Sequence, residues 1–201
     1  MIIEIKEHSF FENLLSEENT IIDLGACRGE FIKEFISKYN TKKCIAVEPN
    51  PTNFVTLPNS ENIIKYNNLI SSVKGEERIF FEDTKSPYNG STIFNYFNGV
   101  QHIIKTITLD EILVENKIDY VDLLKIDIEG SEYELLESLT DSFFNKVRQI
   151  TIEFHDFVEP KLKERTEEII KRIENLGFNR ISKPIKYMYN SEHYDVLFYK
   201  K

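Results

Sequence analysis

Acidic side chains stand at the ends of several apolar segments of the chain. Asp23 and Glu48 each close one such segment, and Asp127 and Glu153 close two others. In a chain of net charge −9, a single acid is usually a solvated surface residue. Ligands of an open parallel sheet, however, bind outside the carboxyl ends of its strands. If these segments are strands, their acids meet at one edge, and the pattern predicts a binding site for a ligand that carries positive charge.

The segment that ends at Asp23 leads into a turn punctuated by Gly25 and Gly29. Glycines in the first turn of a βαβ unit let the backbone approach a nucleotide, and an acid at the tip of the second strand, here Glu48, accepts from ribose hydroxyls. A dinucleotide fingerprint has a further glycine beside the pyrophosphate, and Cys27 occupies that position. We therefore predict S-adenosyl-L-methionine, whose ammonium and sulfonium groups suit Asp23, as the cofactor in preference to NAD.

Asp127 and Glu129 are separated by one residue and precede Gly130, so they share one side of the chain if the strand continues. They have a structural interpretation, because acids often cap a helix that follows a strand. They also suit a pocket wall that faces a cation, and carboxylate oxygens are ligands for divalent metals. Contact with a cofactor or substrate is the preferred interpretation, and no metal ligand is predicted.

A histidine follows the acid that ends the fourth segment. His155 lies between Glu153 and Asp156, and a neighbouring carboxylate orients an imidazole and stabilises its protonated form. We predict that His155 is the general base that takes a proton from the substrate, with Asp127 and Glu129 positioning that substrate. Direct action of Glu153 and a metal held by these carboxylates are the alternatives. The remaining histidines lack such neighbours and are interpreted as structural.

Apolar segments that alternate with helical patterns predict one doubly wound α/β domain over residues 1–201, with a mostly parallel sheet. Apolar residues at helical spacing from Phe10 to Leu15 predict a helix within residues 1–19 that covers this sheet. Residues 77–81 and 103–107 have the pattern of an additional pair of strands. Between them, residues 84–100 have no regular period and are predicted to form an active-site loop. Its aromatic residues are Tyr88, Phe94, Tyr96 and Phe97.

Composition excludes several classes of protein. Apolar residues make up 41% of the 201 positions, which is enough for a core, and the net charge of −9 disfavours a nucleic-acid partner. No apolar run approaches the ~18 residues of a membrane span, and no secretory signal is visible. The two cysteines form no disulfide framework, which favours a reducing, cytoplasmic location. Nothing in the sequence predicts an oligomeric state.

The chain resembles the FkbM-like methyltransferases in a series of segments that occur in the order typical of that family. The pairing of a Glu-Pro-Asn-Pro strand tip with a later Lys-Ile-Asp-Ile-Glu-Gly stretch is characteristic of the group. One departure is the stretch after the third strand, usually Ala-Leu-Ser-Asp-like and here Leu-Ile-Ser-Ser. The matching segments are residues 23–29 (DLGACRG), 47–51 (VEPNP), 108–111 (TLDE), 124–132 (LKIDIEGSE) and 152–155 (IEFH).

This resemblance implies a Rossmann-like seven-stranded sheet whose final strand, residues 195–199, is inserted antiparallel between its neighbours. It also implies S-adenosylmethionine as donor and a hydroxyl acceptor on a sugar, glycan or small natural product. An NAD-dependent oxidoreductase or epimerase, and an inactive nucleotide-binding module, are the alternatives. By position, the turn after Asp23 lines the methionine part, Glu48 the ribose, and Asp127 the methyl-transfer site. The predicted cofactor-binding residues are Asp23, Gly25, Ala26, Gly29, Glu48, Pro49, Asn50, Leu69, Ile70, Ser71 and Asp127.

Overall fold

The computed structural model describes residues 1–83, 85–86, 90–92, 99–157, 159–185 and 191–201. Strands and helices alternate along most of this length. The strands are β1 (Ile2–Ile5), β2 (His8–Phe11), β3 (Asn19–Leu24), β4 (Thr41–Val47), β5 (Ile63–Tyr66), β6 (Leu69–Ile70), β7 (Glu77–Glu82), β8 (Gly90–Ser91), β9 (Val100–Ile107), β10 (Val121–Ile126), β11 (Val147–Glu153), β12 (Asn179–Ile185) and β13 (Ser191–Tyr199). The helices are α1 (Glu30–Lys38), α2 (Pro51–Phe54), α3 (Leu109–Glu115), α4 (Glu132–Ser138), α5 (Asp141–Phe144) and α6 (Pro160–Asn175).

Seven strands form the main sheet, in the order β12-β13-β11-β10-β3-β4-β5. Strand β13 runs antiparallel to β11 and β12, and the other neighbouring pairs are parallel. The register places Leu124 opposite Ile22 on one side and Ile150 on the other. The predicted α/β fold with an inserted antiparallel last strand is therefore confirmed. The carboxyl ends of β3, β4, β10 and β11 consequently lie side by side at one edge.

Apolar side chains from both faces of the sheet account for its layered packing. Alternate residues of a strand point to opposite faces, so Ile22 and Ile45 join one buried cluster while Ile21 and Cys44 join the other. Every residue of β10 is buried, as expected of a central parallel strand covered on both sides. The helix α1 contributes Phe31, Ile32 and Phe35 to the second cluster. No helix in the described part of the chain is long and apolar enough to cross a membrane.

A second sheet, in the order β6-β9-β7-β8, forms the predicted β extension. Strands β7 and β9 pair antiparallel with Ile79 opposite Ile103, which confirms the additional pair of strands. Residues 84–100 were expected to lack regular structure, but β8 lies within them and pairs Ser91 with Phe81. The aromatic residues predicted to decorate this loop lie outside the described residues. They are Tyr88, Phe94, Tyr96 and Phe97.

The N-terminal segment forms a β-hairpin, so the prediction of a helical cover in residues 1–19 is wrong. Lys6 and Glu7, with φ of 48° and 71°, make the two-residue turn that this geometry requires. Phe10 is fully buried and contacts Phe35, whereas Phe11 contacts Tyr199 on the other side. Neighbouring apolar residues that face opposite sides follow the two-residue period of a strand. The segment therefore forms a strand, although its apolar residues also fit a helical spacing. Only a 3-10 turn, Glu12–Leu14, follows the hairpin.

Glu134 of α4 joins the extension to the main sheet. Its carboxylate accepts hydrogen bonds from Arg78 at 2.7 Å and from the hydroxyls of Ser71 and Ser72 at 2.8 Å. The bond from Arg78 is the main reason that the pKa of Glu134 falls to about 2. A carboxylate with a lowered pKa stabilises the folded state above its ordinary pKa, and that stabilisation disappears as the pH falls towards the lowered value.

We expect Glu134→Gln to lower the free energy of unfolding by about 1 kcal/mol near neutral pH, because solvent screens this half-exposed carboxylate. The difference from the unsubstituted protein should narrow between about pH 5 and about pH 2, as measured by urea unfolding. Glu137→Gln is the control, since Glu137 lies on the same helix and pairs with Arg165 at 2.8 Å on the surface. A difference that stays constant with pH would show that the charge of Glu134 is unimportant.

Candidate functional site

A cavity of about 910 Å³ opens at the carboxyl edge of β3, β4, β10 and β11. This size is at the upper end for small-molecule sites, and its position is where ligands of an open α/β sheet bind. The extension contributes Leu69, Ile70 and Phe80 to the wall, and the N-terminal hairpin contributes Lys6 and His8. The cavity is therefore bounded by elements that are distant in sequence.

The turn after β3 approaches the end of β10 closely. Gly25 has φ of 78°, and a Cβ added there would lie 1.7 Å from the carbonyl oxygen of Asp127. The N–H groups of Gly25 and Ala26 both donate to the carbonyl of Val47 at 3.0 Å, which fixes the turn against β4. Gly29 also has a positive φ, 76°, but it faces Pro58 rather than the cavity. Glycine is thus required at position 25 by a close backbone contact.

Glu48 holds the first turn and the second strand tip together. Its carboxylate accepts from the backbone N–H of Cys27 at 2.7 Å and from that of Asn50 at 2.8 Å. Burial raises the pKa of Glu48 to about 8. Burial also raises the pKa of the Cys27 thiol to about 12, so this cysteine fills the turn and does not act as a thiolate. Pro49 and Asn50 complete this side of the cavity.

Lys125 lies between the two acids that the sequence places at the ends of β3 and β10. Its ammonium is 2.9 Å from Asp23 Oδ1, 2.9 Å from the carbonyl oxygen of Gly25 and 3.6 Å from Asp127 Oδ2. Burial alone would lower the pKa of Lys125, but the charges of Asp23 and Asp127 outweigh it and raise that pKa. Asp23 is fully buried behind this lysine and does not line the cavity, in contrast to its predicted contact with the cofactor.

His155 is held by Glu132, the first residue of α4. Its Nδ1 and its backbone N–H are both 2.9 Å from Glu132 Oε1, and the other carboxylate oxygen accepts from Gly130 at 2.9 Å. Its Nε2 is 3.4 Å from Glu129 and 3.8 Å from Glu153. The orienting acid is thus Glu132 rather than Glu153 or Asp156, the two neighbours predicted for that role. The sequence could have indicated Glu132, because it lies in the same segment, residues 124–132, as Asp127.

The carboxylates around His155 determine its protonation. Burial would lower the pKa of its imidazole, but Glu132, Glu129 and Glu153 outweigh burial and raise that pKa well above its ordinary value. These carboxylates therefore favour the protonated ring. The predicted role as general base requires that Nε2 lose its proton when ligands bind, because an imidazolium cannot accept another proton.

Burial raises the pKa of Glu129 to about 7 and that of Glu153 to about 8, and the neighbouring charge of Asp127 adds to both effects. Tyr194 donates a hydrogen bond to Glu153. Burial opposes ionisation of Asp127, but Lys125 and His8 outweigh it and lower the pKa of Asp127. His8 Nε2 is 3.6 Å from Asp127, so a histidine interpreted as structural belongs to this cluster.

Most of the predicted site residues meet at this cavity, and a few do not. Asp23, Gly29 and Ser71 do not line it, because Asp23 is covered by Lys125, Gly29 packs on Pro58, and the Ser71 hydroxyl donates to Glu134. The predicted residues that line it are Gly25, Ala26, Glu48, Pro49, Asn50, Leu69, Ile70, Asp127, Glu129, Glu153 and His155. The lining residues not predicted from sequence include His8, Lys125 and Tyr194.

The sequence profile of the Methyltransferase FkbM domain matches residues 23–180, a span that contains β4 to β11 and most of the site. The chain belongs to the FkbM methyltransferase family. The resemblance noted from the strand tips is therefore confirmed. Membership in the FkbM family agrees with the predicted cofactor and does not favour the NAD-dependent alternative.

One relative of known name and two solved structures are similar to the chain. The hexuronic acid methyltransferase AglP of Haloferax volcanii is 28% identical over 150 residues, which cover 72% of this chain and 59% of AglP. The chain thus spans less than two thirds of this curated relative. The solved methyltransferase FkbM of Methylobacillus flagellatus has a TM-score of 0.61 at 17% identity, covering 95% of this chain and 46% of that one. A fibrillarin/Nop5p complex has a TM-score of 0.50 at 17% identity, with 93% and 75% covered.

Proposed function

We propose that this chain is an S-adenosylmethionine-dependent methyltransferase that methylates a hydroxyl group of a sugar or glycan. The observation that carries the proposal is one cavity in which the glycine turn and Glu48 lie opposite the cluster of Asp127, Glu129, Glu153 and His155. The first group suits a nucleoside, and the second suits a hydroxyl that must lose a proton. The hexuronic acid named in AglP supports a sugar as the acceptor class.

The residues present fit the proposed cofactor. Glu48 is buried at the tip of β4, where a carboxylate accepts from ribose hydroxyls, and Leu69 and Ile70 give an apolar wall for a base. The carboxylates of Glu30 and Asp127 also line the cavity and suit the ammonium and sulfonium groups. The cofactor supplies a methyl group on a positively charged sulfur, which is already activated for displacement.

The residues of the chain supply mainly alignment and proton removal. Holding the acceptor oxygen in line with the methyl carbon contributes up to about 7–11 kcal/mol. Asp127 and Glu129 position the acceptor, and a base that removes its proton adds a factor of about 10²–10⁴. His155 and Glu153 are the candidate bases, and both reach the cavity.

Binding of S-adenosylhomocysteine, measured by calorimetry, tests the proposal. We expect the protein to bind it and Glu48→Gln to weaken binding about 10–100-fold, because hydrogen bonds to a buried carboxylate are lost. Glu18→Gln, which changes an exposed acid paired with Lys42, is the control and should bind normally. Labelled methyl transfer to a panel of neutral and acidic glycosides then identifies the acceptor. Binding of NAD without binding of S-adenosylhomocysteine would contradict the proposal.

We also infer three further properties from composition and pattern. The net charge of −9 supports the absence of a nucleic-acid partner, and the two cysteines, neither of which forms a disulfide, support a cytoplasmic location. The continuous alternation of strands and helices supports a single domain over residues 1–201.

A further inference from the structure

Two sets of metal-ligand side chains share Asp127 at the acceptor end of the cavity. One set is Asp127, Glu129 and His155, and the other is Asp127, His8 and Glu153. Within each set, the potential ligand atoms lie within 4.8 Å of one another. Ligands on opposite sides of one cation are separated by about 4.2 Å when each bond is about 2.1 Å. Small side-chain adjustments would therefore bring either set onto a single ion.

His155 is prepared in the way that metal-binding histidines are. Its Nδ1 is bonded to Glu132 at 2.9 Å, and Glu132 is itself fixed by the N–H groups of Gly130 and His155. A carboxylate on one ring nitrogen sets the tautomer and directs the other nitrogen towards the metal. Here that other nitrogen, Nε2, faces Glu129 at 3.4 Å.

The second histidine of the cluster, His8, borders the same end of the cavity, with its Nε2 3.6 Å from Asp127. His8 is 3% exposed and lines the cavity, yet its Nδ1 has no hydrogen-bond partner among the described residues. A buried polar atom without a partner is costly unless a water or a ligand satisfies it. The cluster also gathers carboxylates at Asp127, Glu129 and Glu153, and only Asp127 lies near the Lys125 ammonium, at 3.6 Å. A cation would reduce the repulsion among these carboxylates.

We propose that Asp127, Glu129 and His155 Nε2 bind one divalent transition-metal cation that holds the acceptor hydroxyl. Mixed carboxylate and imidazole ligands suit Mn²⁺ and the neighbouring first-row metals better than Mg²⁺ or Ca²⁺, which favour oxygen alone. The existence of the site is independent of the proposed function. Its role in holding an acceptor rests on that function.

If His155 binds the metal, a different residue must accept the proton of the acceptor hydroxyl. A hydroxyl bound to a divalent cation loses its proton more readily, and with His155 on the metal, Glu153 is the carboxylate that takes that proton. The oxygen lone pair forms the new bond to the methyl carbon, and the electron pair of the broken carbon–sulfur bond stays on sulfur. Direct action of Glu153, one alternative from the sequence, then replaces His155 as the base.

Titration of the metal-free protein with Mn²⁺, followed by electron paramagnetic resonance without cofactor or acceptor, tests the site. We expect one Mn²⁺ per chain and at least a 10-fold loss of affinity in both Glu129→Gln and His155→Gln. Glu132→Gln should weaken binding about 10–100-fold through the second ring nitrogen. His8→Gln changes only the other ligand set and should keep Mn²⁺ binding. His102→Gln, which changes a histidine paired with Glu82 outside the cavity, is the matched control, and thermal unfolding of each variant checks its fold.

Absence of stoichiometric Mn²⁺ binding to the unsubstituted protein would overturn the proposal whatever the variants do. Loss of binding in His8→Gln together with normal binding in Glu129→Gln would also overturn it, because the ion would then occupy the other set. The proposed function fails separately, since S-adenosylhomocysteine binding is measured without metal.

Discussion

Replacing Lys125 with methionine is expected to lower the free energy of unfolding by about 3–5 kcal/mol, because it leaves a buried carboxylate without a partner. Lys125 is 4% exposed, and Asp23, at 2.9 Å, is fully buried. Small domains have only about 5–15 kcal/mol of stability, so this loss is a large fraction of the total. Urea unfolding with circular dichroism measures it. Binding of S-adenosylhomocysteine should also be lost, because the same ammonium donates a hydrogen bond to the carbonyl oxygen of Gly25 at 2.9 Å.

Two further variants identify the cause of this loss. Lys38→Met removes an exposed lysine that pairs with Glu34 at 2.7 Å, and we expect a change of about 0.5 kcal/mol or less. In the double variant Asp23→Asn with Lys125→Met, the stranded charge is gone, and about 1–3 kcal/mol should be recovered relative to Lys125→Met alone. A double variant as unstable as Lys125→Met would show that packing, and not the buried charge, accounts for the loss.

The edge of the main sheet was predictable because its residues obey local rules. Glu48, Asp127, Glu153 and His155 each follow an apolar segment, and parallel strands bring their carboxyl ends together. The two-residue period of a strand also places Glu153 and His155 on one side, and their distance of 3.8 Å agrees with it. Such features depend on a few neighbouring residues and on one rule of topology.

Other parts of the site depend on contacts between segments that are distant in sequence. Lys125 is two residues before Asp127, which hints at a shared face, but its bond to Asp23 depends on the register of β10 against β3. His8 reaches Asp127 only because the N-terminal segment turns back at Lys6 and Glu7. The apolar residues from Phe10 to Leu15 fit a helical period as well as a strand. Their packing on other elements, which a sequence pattern does not contain, decides between the two.

Gly25→Ala is expected to destabilise the fold by about 3 kcal/mol or more. Left-handed backbone costs a residue with a side chain about 1–2 kcal/mol, and forcing an atom into a packed contact costs about 1–3 kcal/mol more. The added methyl would lie 1.7 Å from the carbonyl oxygen of Asp127, so one of the two segments must move. Backbone hydrogen bonds restrain both segments. The N–H of Gly25 donates to the carbonyl of Val47 at 3.0 Å, and the N–H of Asp127 donates to the carbonyl of Leu24 at 3.1 Å.

A matched glycine separates the strain of the backbone from the contact. Gly75 has φ of 73°, close to the 78° of Gly25, but a Cβ added there meets nothing within 4 Å. Gly75→Ala should therefore cost only the conformational strain, about 1–2 kcal/mol by urea unfolding, and leave S-adenosylhomocysteine binding unchanged. The additional loss of unfolding free energy in Gly25→Ala then measures the displacement of Asp127. It should be accompanied by loss of S-adenosylhomocysteine binding. Equal free energies of unfolding for the two variants would mean that the turn after β3 and the end of β10 separate easily. The contact between these two segments would then not determine the geometry of the site.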